Sequence, residues 1–213
     1  MKEIAGIILL IVTSHSEMES GKPTGLWLEE FTVPYEVFTE AGYEVIVASP
    51  EGGAAPVDPR SLPDNPSAQE KRLLALLKDT RPLSDLDGVE PDGIFFAGGH
   101  GTMFDFPTDP SVQNLVSTAL QQDQPLALVC HGPAAFVGAK TPAGTPPIKN
   151  RTVTGFTNSE ERAVQLQDEV PFLLETKLEE LGATFIGGKN FQEHVVVDRN
   201  LVTGQNPASS RKT

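Results

Sequence analysis

Four continuous apolar runs, separated by helix-patterned stretches, constrain the fold more than any other feature of this sequence. Ile4–Val12, YEVIVAS (43–49), DGIFFAG (92–98) and PLALVC (125–130) lack the polar–apolar alternation of a half-exposed strand. A strand buried on both faces reads this way, and such strands belong to parallel sheets. The stretches between them carry helical signals. WLEEFTVPYEVFTEAG (27–42) ends on a glycine, SAQEKRLLALLKDT (67–80) has apolar residues at helical spacing, and SVQNLVSTALQQ (111–122) follows Pro110. Strands alternating with helices predict βαβ units, hence an α/β fold with a mostly parallel sheet and helices on both faces. HVVVD (194–198) and LVTG (201–204) read as a late pair of short strands, and EGGAAPVDPRSLPDNP (51–66) as a long loop. With no internal repeat and no linker, residues 1–213 are expected to form one domain.

The first apolar run has a second reading, as a secretory leader. Lys2 stands near the start, but Glu3 weakens a basic region, no A-x-A-like cleavage site follows, and the run is too short to span a bilayer. A buried first strand is the better reading. A cytoplasmic protein without membrane association is expected from it. The net charge of -13 repels phosphate backbones, so nucleic acid is not an expected partner. Cys130 is the only cysteine, which excludes an internal disulfide and a multi-cysteine metal site and suits a reducing compartment. The four histidines, His15, His100, His131 and His194, show no H-x-x-x-H spacing, so neither a metal nor another cofactor is expected.

Ligands of parallel sheets bind beyond the carboxyl ends of the strands. Three chemically interesting segments fall there: Cys130-His131 after PLALVC, FFAGGHGTMFD (95–105), and LEEFTVP (28–34) on the first helix. Two readings of Cys130 stand at this point. It is an inert thiol ending a buried strand, or a nucleophile at a strand-to-helix turn whose helix N-terminus holds the thiolate, with a pKa well below about 8.5. Gly98, Gly99 and Gly101 let backbone approach a substrate, and their N–H groups with that of His131 suit an oxyanion. GGHG is neither GxGxxG nor a Walker loop. His131 is a base, an ion-pair partner of the thiolate, or a buried hydrogen-bonded ring. Of Glu29 and Glu30, one helical position apart, only one points inward, and Glu30 fits the stripe of Trp27, Phe31 and Pro34.

Together TGLWLEEFTVPYEVFTEAGYEVIVASPEGG (24–53), IFFAGGHGTMFD (94–105), LVCHGPAAF (128–136), TGFTNSEE (154–161) and LVTGQNPASS (201–210) resemble the ThiJ/PfpI superfamily, and within it the glyoxalase III branch. The resemblance implies the flavodoxin-like three-layer sandwich of class I glutamine amidotransferases. It implies a nucleophile elbow at Cys130 with His131 beside it, a catalytic Glu30, and an oxyanion hole from the backbone of Gly99 and His131. An acidic partner for the histidine would come from TNSEE, with Glu161 preferred over Glu160. The implied reaction is the cofactor-free, glutathione-independent conversion of methylglyoxal, a small reactive aldehyde, to lactate. A homodimer is also implied. Relatives continue beyond NPASS into a final helix, so the stop at SSRKT (209–213) leads to the expectation that this helix is absent. Cys130 is followed by His-Gly-Pro rather than Gly-x-Gln, which disfavours glutamine hydrolysis. A deglycase or cysteine hydrolase of the same family, a holdase chaperone, and a redox sensor that oxidises Cys130 are the alternative readings.

Overall fold

The computed structural model describes residues 4–86 and 88–213. Lys2 and Glu3, which entered the leader reading, lie outside the described residues. The elements run β1 (Ile7–Ile11), α1 (Leu28–Glu40), β2 (Glu44–Ser49), α2 (Ala68–Leu76), β3 (Arg81–Pro82), β4 (Gly93–Phe96), α3 (Thr102–Asp105) and α4 (Pro110–Gln121). They continue with β5 (Leu126–Val129), β6 (Thr152–Val153), α5 (Asn158–Ala163), α6 (Leu174–Glu180), β7 (Thr184–Phe185), β8 (Val195–Asp198) and β9 (Leu201–Gly204). Single 3-10 turns span Pro59–Ser61, Leu83–Asp85, Gly132–Phe136 and Pro207–Ser209.

The apolar runs become strands because each is enclosed on both faces. Leu9, Leu10 and Ile11 of β1, Phe95 and Phe96 of β4, and Leu128 and Val129 of β5 are sealed from solvent. They form one seven-stranded sheet in the order β3-β2-β1-β4-β5-β9-β8. All its pairings are parallel except β8 with β9. β6 and β7 form a separate parallel pair. Strand order runs outward from β1 in both directions, so right-handed crossovers place α1 and α2 on one face and α4 on the other. This is the mostly parallel α/β arrangement that the alternation predicts, in the flavodoxin-like form that the resemblance implies. No helix among the described residues is long and apolar enough to cross a membrane.

Two differences from the sequence reading have local causes. The helical pattern at 67–80 ends early, because Thr80 exchanges backbone hydrogen bonds with Gly53 instead of continuing the helix. The turn after Cys130 is a buried 3-10 turn, Gly132–Phe136, and not an α-helix. Pro133 at its start has no N–H to donate, and so short a turn carries little of the dipole expected at this position.

The sheet levels the ends that matter. Ile11 pairs with Phe96, and Phe96 with Leu128, so the segments after β1, β4 and β5 leave the sheet side by side. Order reverses at β1 and β4, the crevice where open α/β sheets bind ligands.

Candidate active site

Cys130 follows β5 with φ at +58°, a left-handed conformation that a non-glycine residue adopts at a cost of about 1–3 kcal/mol. Flanking hydrogen bonds hold it there: its N–H donates to Gly204 O at 2.9 Å, and its carbonyl accepts from Phe156 N at 2.8 Å. The strand-to-turn bend projects the thiol beyond the sheet. Gly98 must be glycine, since a Cβ there would stand 2.5 Å from Val129 O and 2.6 Å from Glu30 Oε2. Gly99 has φ at +103°, and its N–H points at the thiol. The His131 N–H donates no hydrogen bond among the described residues.

Cys130 Sγ lies 3.3 Å from His131 Nδ1, and His131 Nε2 lies 2.7 Å from Glu161 Oε2. The other oxygen of Glu161 takes His100 Nε2 at 2.8 Å. An ionised carboxylate only accepts, so both rings carry their proton on Nε2. Their Nδ1 lone pairs then face outward. That of His131 accepts from the thiol, and that of His100 accepts from Arg60 Nη2 at 3.2 Å. Arg60 is itself forked onto the sealed carboxylate of Asp58, with contacts of 2.9 and 2.6 Å. Thr102 ties the two loops together by donating to the carbonyls of Gly99 and His131.

Electrostatics follow from this geometry. Burial alone would raise Glu161, but attraction to His131 and the hydrogen bonds from both rings outweigh it and hold the carboxyl well below its usual range. Burial, then repulsion from His131, lowers His100 to about 4, so it is neutral and donates steadily to Glu161. On the opposite side of the thiol, Glu30 projects from the first turn of α1 and is sealed from solvent. Its polar neighbours are the Cys130 thiol and the Gly98 N–H, yet neither carboxyl oxygen closes a full hydrogen bond. Burial therefore drives its pKa well up and favours the protonated carboxyl. Burial, and then the neighbouring Glu30 carboxyl, raises Cys130 as well. The expectation of a thiol below about 8.5 is not met, because desolvation dominates and the short turn supplies little compensating dipole. The two acids cannot both ionise in so small a dry space.

The structure brings together Cys130, His131, Glu30, Glu161 and the Gly99 backbone. Glu29, adjacent to Glu30, is exposed. Glu160 does separate work. With Thr157 it forms a capping box on α5, and its other oxygen accepts from Phe191 N at 2.7 Å and Asn206 Nδ2 at 2.8 Å. His100 and Arg60 are additions to the site that the sequence motifs alone do not assign. The glycine-rich setting of His100 was the available signal, and nothing marked Arg60. Although no H-x-x-x-H spacing exists, His100, His131 and Glu161 place potential metal-ligating atoms within 4.8 Å of one another. In the arrangement seen, those atoms are occupied in hydrogen bonds with each other.

Above the thiol opens a cavity of about 300 Å³. Its inner end holds Cys130, His131, His100 and Gly99, and its walls are largely apolar. His131 packs at a tilt against Phe156 with ring centres 4.5 Å apart, and Phe156 approaches Phe191 at 6.3 Å, so a row of rings leads outward.

The profile of the DJ-1/PfpI family matches residues 24–212. Over 222 residues the chain is 33% identical to glyoxalase 3 of Candida albicans, covering 97% of this chain and 94% of that protein. It is 32% identical to the glutathione-independent glyoxalase hsp3101 of Schizosaccharomyces pombe, covering 98% and 93%. The crystal structure of glyoxalase III from Candida albicans superposes with a TM-score of 0.87, covering 97% of this chain and 93% of that one.

Proposed function

The chain belongs to the DJ-1/PfpI family, and from that premise we propose that it is a glutathione-independent glyoxalase converting methylglyoxal to lactate on Cys130. The observation that carries the reading is the placement of the thiol between two proton carriers. His131, oriented by Glu161, is on one side. Glu30, protonated and without a closed hydrogen bond, is on the other.

The chemistry closes with these groups alone. As Sγ attacks the aldehyde carbon, the thiol proton passes to His131 Nδ1. The new alkoxide forms beside the Gly99 and His131 N–H groups and takes the proton of Glu30, giving a hemithioacetal. The Glu30 carboxylate then removes the hydrogen on that carbon, while His131 protonates the ketone oxygen, giving an enediol. Glu30 returns its proton to the second carbon, and His131 takes the proton of the first hydroxyl. The product of these transfers is a lactoyl thioester. Water attacks it, losing a proton to Glu30 while His131 protonates the departing sulfur. Lactic acid leaves, and Cys130, His131 and Glu30 return to their starting states. One carbon is oxidised and its neighbour reduced, so no external electron carrier enters.

The test is methylglyoxal consumption without glutathione, with chiral analysis of the lactate. D-lactate from the wild-type protein and none from Cys130→Ala supports the reading; absence of lactate from the folded wild-type protein refutes it. The same reading includes a single catalytic domain, a homodimer and a cytoplasmic location. Light scattering on the purified protein and fractionation of the source cells test the last two.

A further inference from the structure

We propose that the site prefers, over methylglyoxal itself, a 2-oxoaldehyde bearing on its ketone carbon an uncharged apolar group longer than methyl. This rests on the glyoxalase reading and names its substrate class. Volume gives the first argument. At roughly 30 Å³ for each water-sized unit, the cavity of about 300 Å³ accommodates roughly ten such units. Methylglyoxal, with only five non-hydrogen atoms, would leave roughly half of that space unfilled.

The second argument is what lines the unfilled part. Trp27, Phe156, Val164, Phe191 and Pro207 form its walls. Val164 is 37% exposed and Phe191 49% exposed, and both are large apolar side chains at the same mouth. Such exposure of converging apolar groups marks a surface that a ligand covers. Phe191 is also placed deliberately. Its φ of +57° is left-handed, and the buried Glu160 carboxylate holds its N–H at 2.7 Å. Glu160 is fixed in turn by Thr157 and Asn206. An aromatic ring held at the rim in a conformation that chain preference alone disfavours is a built wall.

The third argument fixes the charge of the group. Arg60 lines the cavity, but its charge is paired with the buried Asp58 carboxylate through Nε and Nη2, and Nη2 also meets His100. Glu161 is ionised nearby, and the whole chain carries -13. A substrate carboxylate would meet an arginine whose charge is already balanced by Asp58, and further negative charge. An uncharged hydrocarbon meets the apolar wall.

The experiment compares kcat/KM for methylglyoxal and 2-oxohexanal, which share both carbonyls and differ only in alkyl length. It is repeated on Phe191→Ala and Val164→Ala. The wild-type protein is expected to favour 2-oxohexanal by at least ~10-fold, chiefly through KM, and each variant to reduce that ratio. A wild-type ratio near one, with methylglyoxal turned over, overturns this inference and leaves the glyoxalase reading standing. A ratio unchanged in both variants also overturns it. If the folded wild-type protein turns over neither aldehyde, the glyoxalase reading itself fails, and the inference with it.

Discussion

Glu30 and Glu29 are adjacent, chemically identical and differently placed, which makes them an internal control for the site. Glu30 is sealed against the thiol, and Glu29 is exposed. Glu30→Gln should preserve the fold and lower kcat by ~10²–10⁴-fold, the range of a positioned acid–base group. Glu29→Gln should leave steady-state rates near wild type, although it makes the same carboxyl-to-amide change one residue away on the exposed side. Equal losses in the two variants would refute the positioned-carboxyl assignment. Glu161→Gln makes a second contrast. The amide cannot accept from both rings with the same two oxygens, so one histidine loses its tautomer. A similar fall in kcat is expected, together with a change in the His131 ring-nitrogen NMR shifts. Unchanged ring shifts would show that Glu161 does not set the tautomer. Cys130, His131 and Glu30 were nameable from sequence because each stands in a short motif or on a helical stripe. The wall residues were not. Trp27, Phe156, Val164 and Phe191 converge only through tertiary folding, and no local period links them.

At the level of elements, α5 decides which glutamate reaches the histidines. Thr157 accepts from Glu160 N at 3.1 Å, and Glu160 Oε2 accepts from Thr157 N at 3.0 Å. This reciprocal cap commits Glu160 to the helix start, and the next residue turns toward the site. The signature T-x-x-E was legible in TNSEE and separates the two glutamates on physical grounds that the resemblance did not supply. Thr157→Ala should lower unfolding free energy by about 0.5–2 kcal/mol in a denaturant titration. It should also reduce kcat, because the Glu161 carboxylate rides on the same turn. A stability loss with full activity would separate the cap from the site. The long strands were legible because both their faces are buried. β6 and β7, with two residues each, were not, since period and propensity need more length to register. α3, α5 and α6, with four to seven residues, fall below the length at which a helix declares itself without tertiary support.

Across the whole molecule, buried titrating groups pull stability in opposite directions with pH. His100, at about 4, lies below the ~6.5 of a free imidazole. Between those values the unfolded chain binds a proton that the folded chain refuses, so the stability His100 contributes is lost as pH falls through the window. Glu161, also lowered, adds a loss at more acid pH, below its usual range. Asp105 acts in the reverse sense. Burial raises it to about 6 despite hydrogen bonds from Thr13 and Ser14, so the folded state holds extra protons below that pH and gains stability as pH falls. From pH 6.5 to 4.5, His100→Gln should shift the slope of melting temperature toward stabilisation on acidification, and Asp105→Asn toward destabilisation. Each effect is bounded by about 1.4 kcal/mol per pH unit per proton. Parallel slopes for the wild type and both variants would remove these groups from the acid response.

The place of β9 in the sheet has a consequence for biosynthesis. It lies between β5 and β8, and its Gly204 carbonyl accepts the Cys130 N–H that closes the elbow. The ribosome delivers β5 long before β9, so the nascent chain holds Cys130 on an incomplete sheet edge while the intervening segments emerge. Until Leu201–Gly204 leaves the exit tunnel, the left-handed bend at Cys130 lacks one of its two backbone restraints. Glu160 likewise waits for Asn206. The bend at Cys130 therefore gains its full set of backbone restraints only once β9 has joined the sheet.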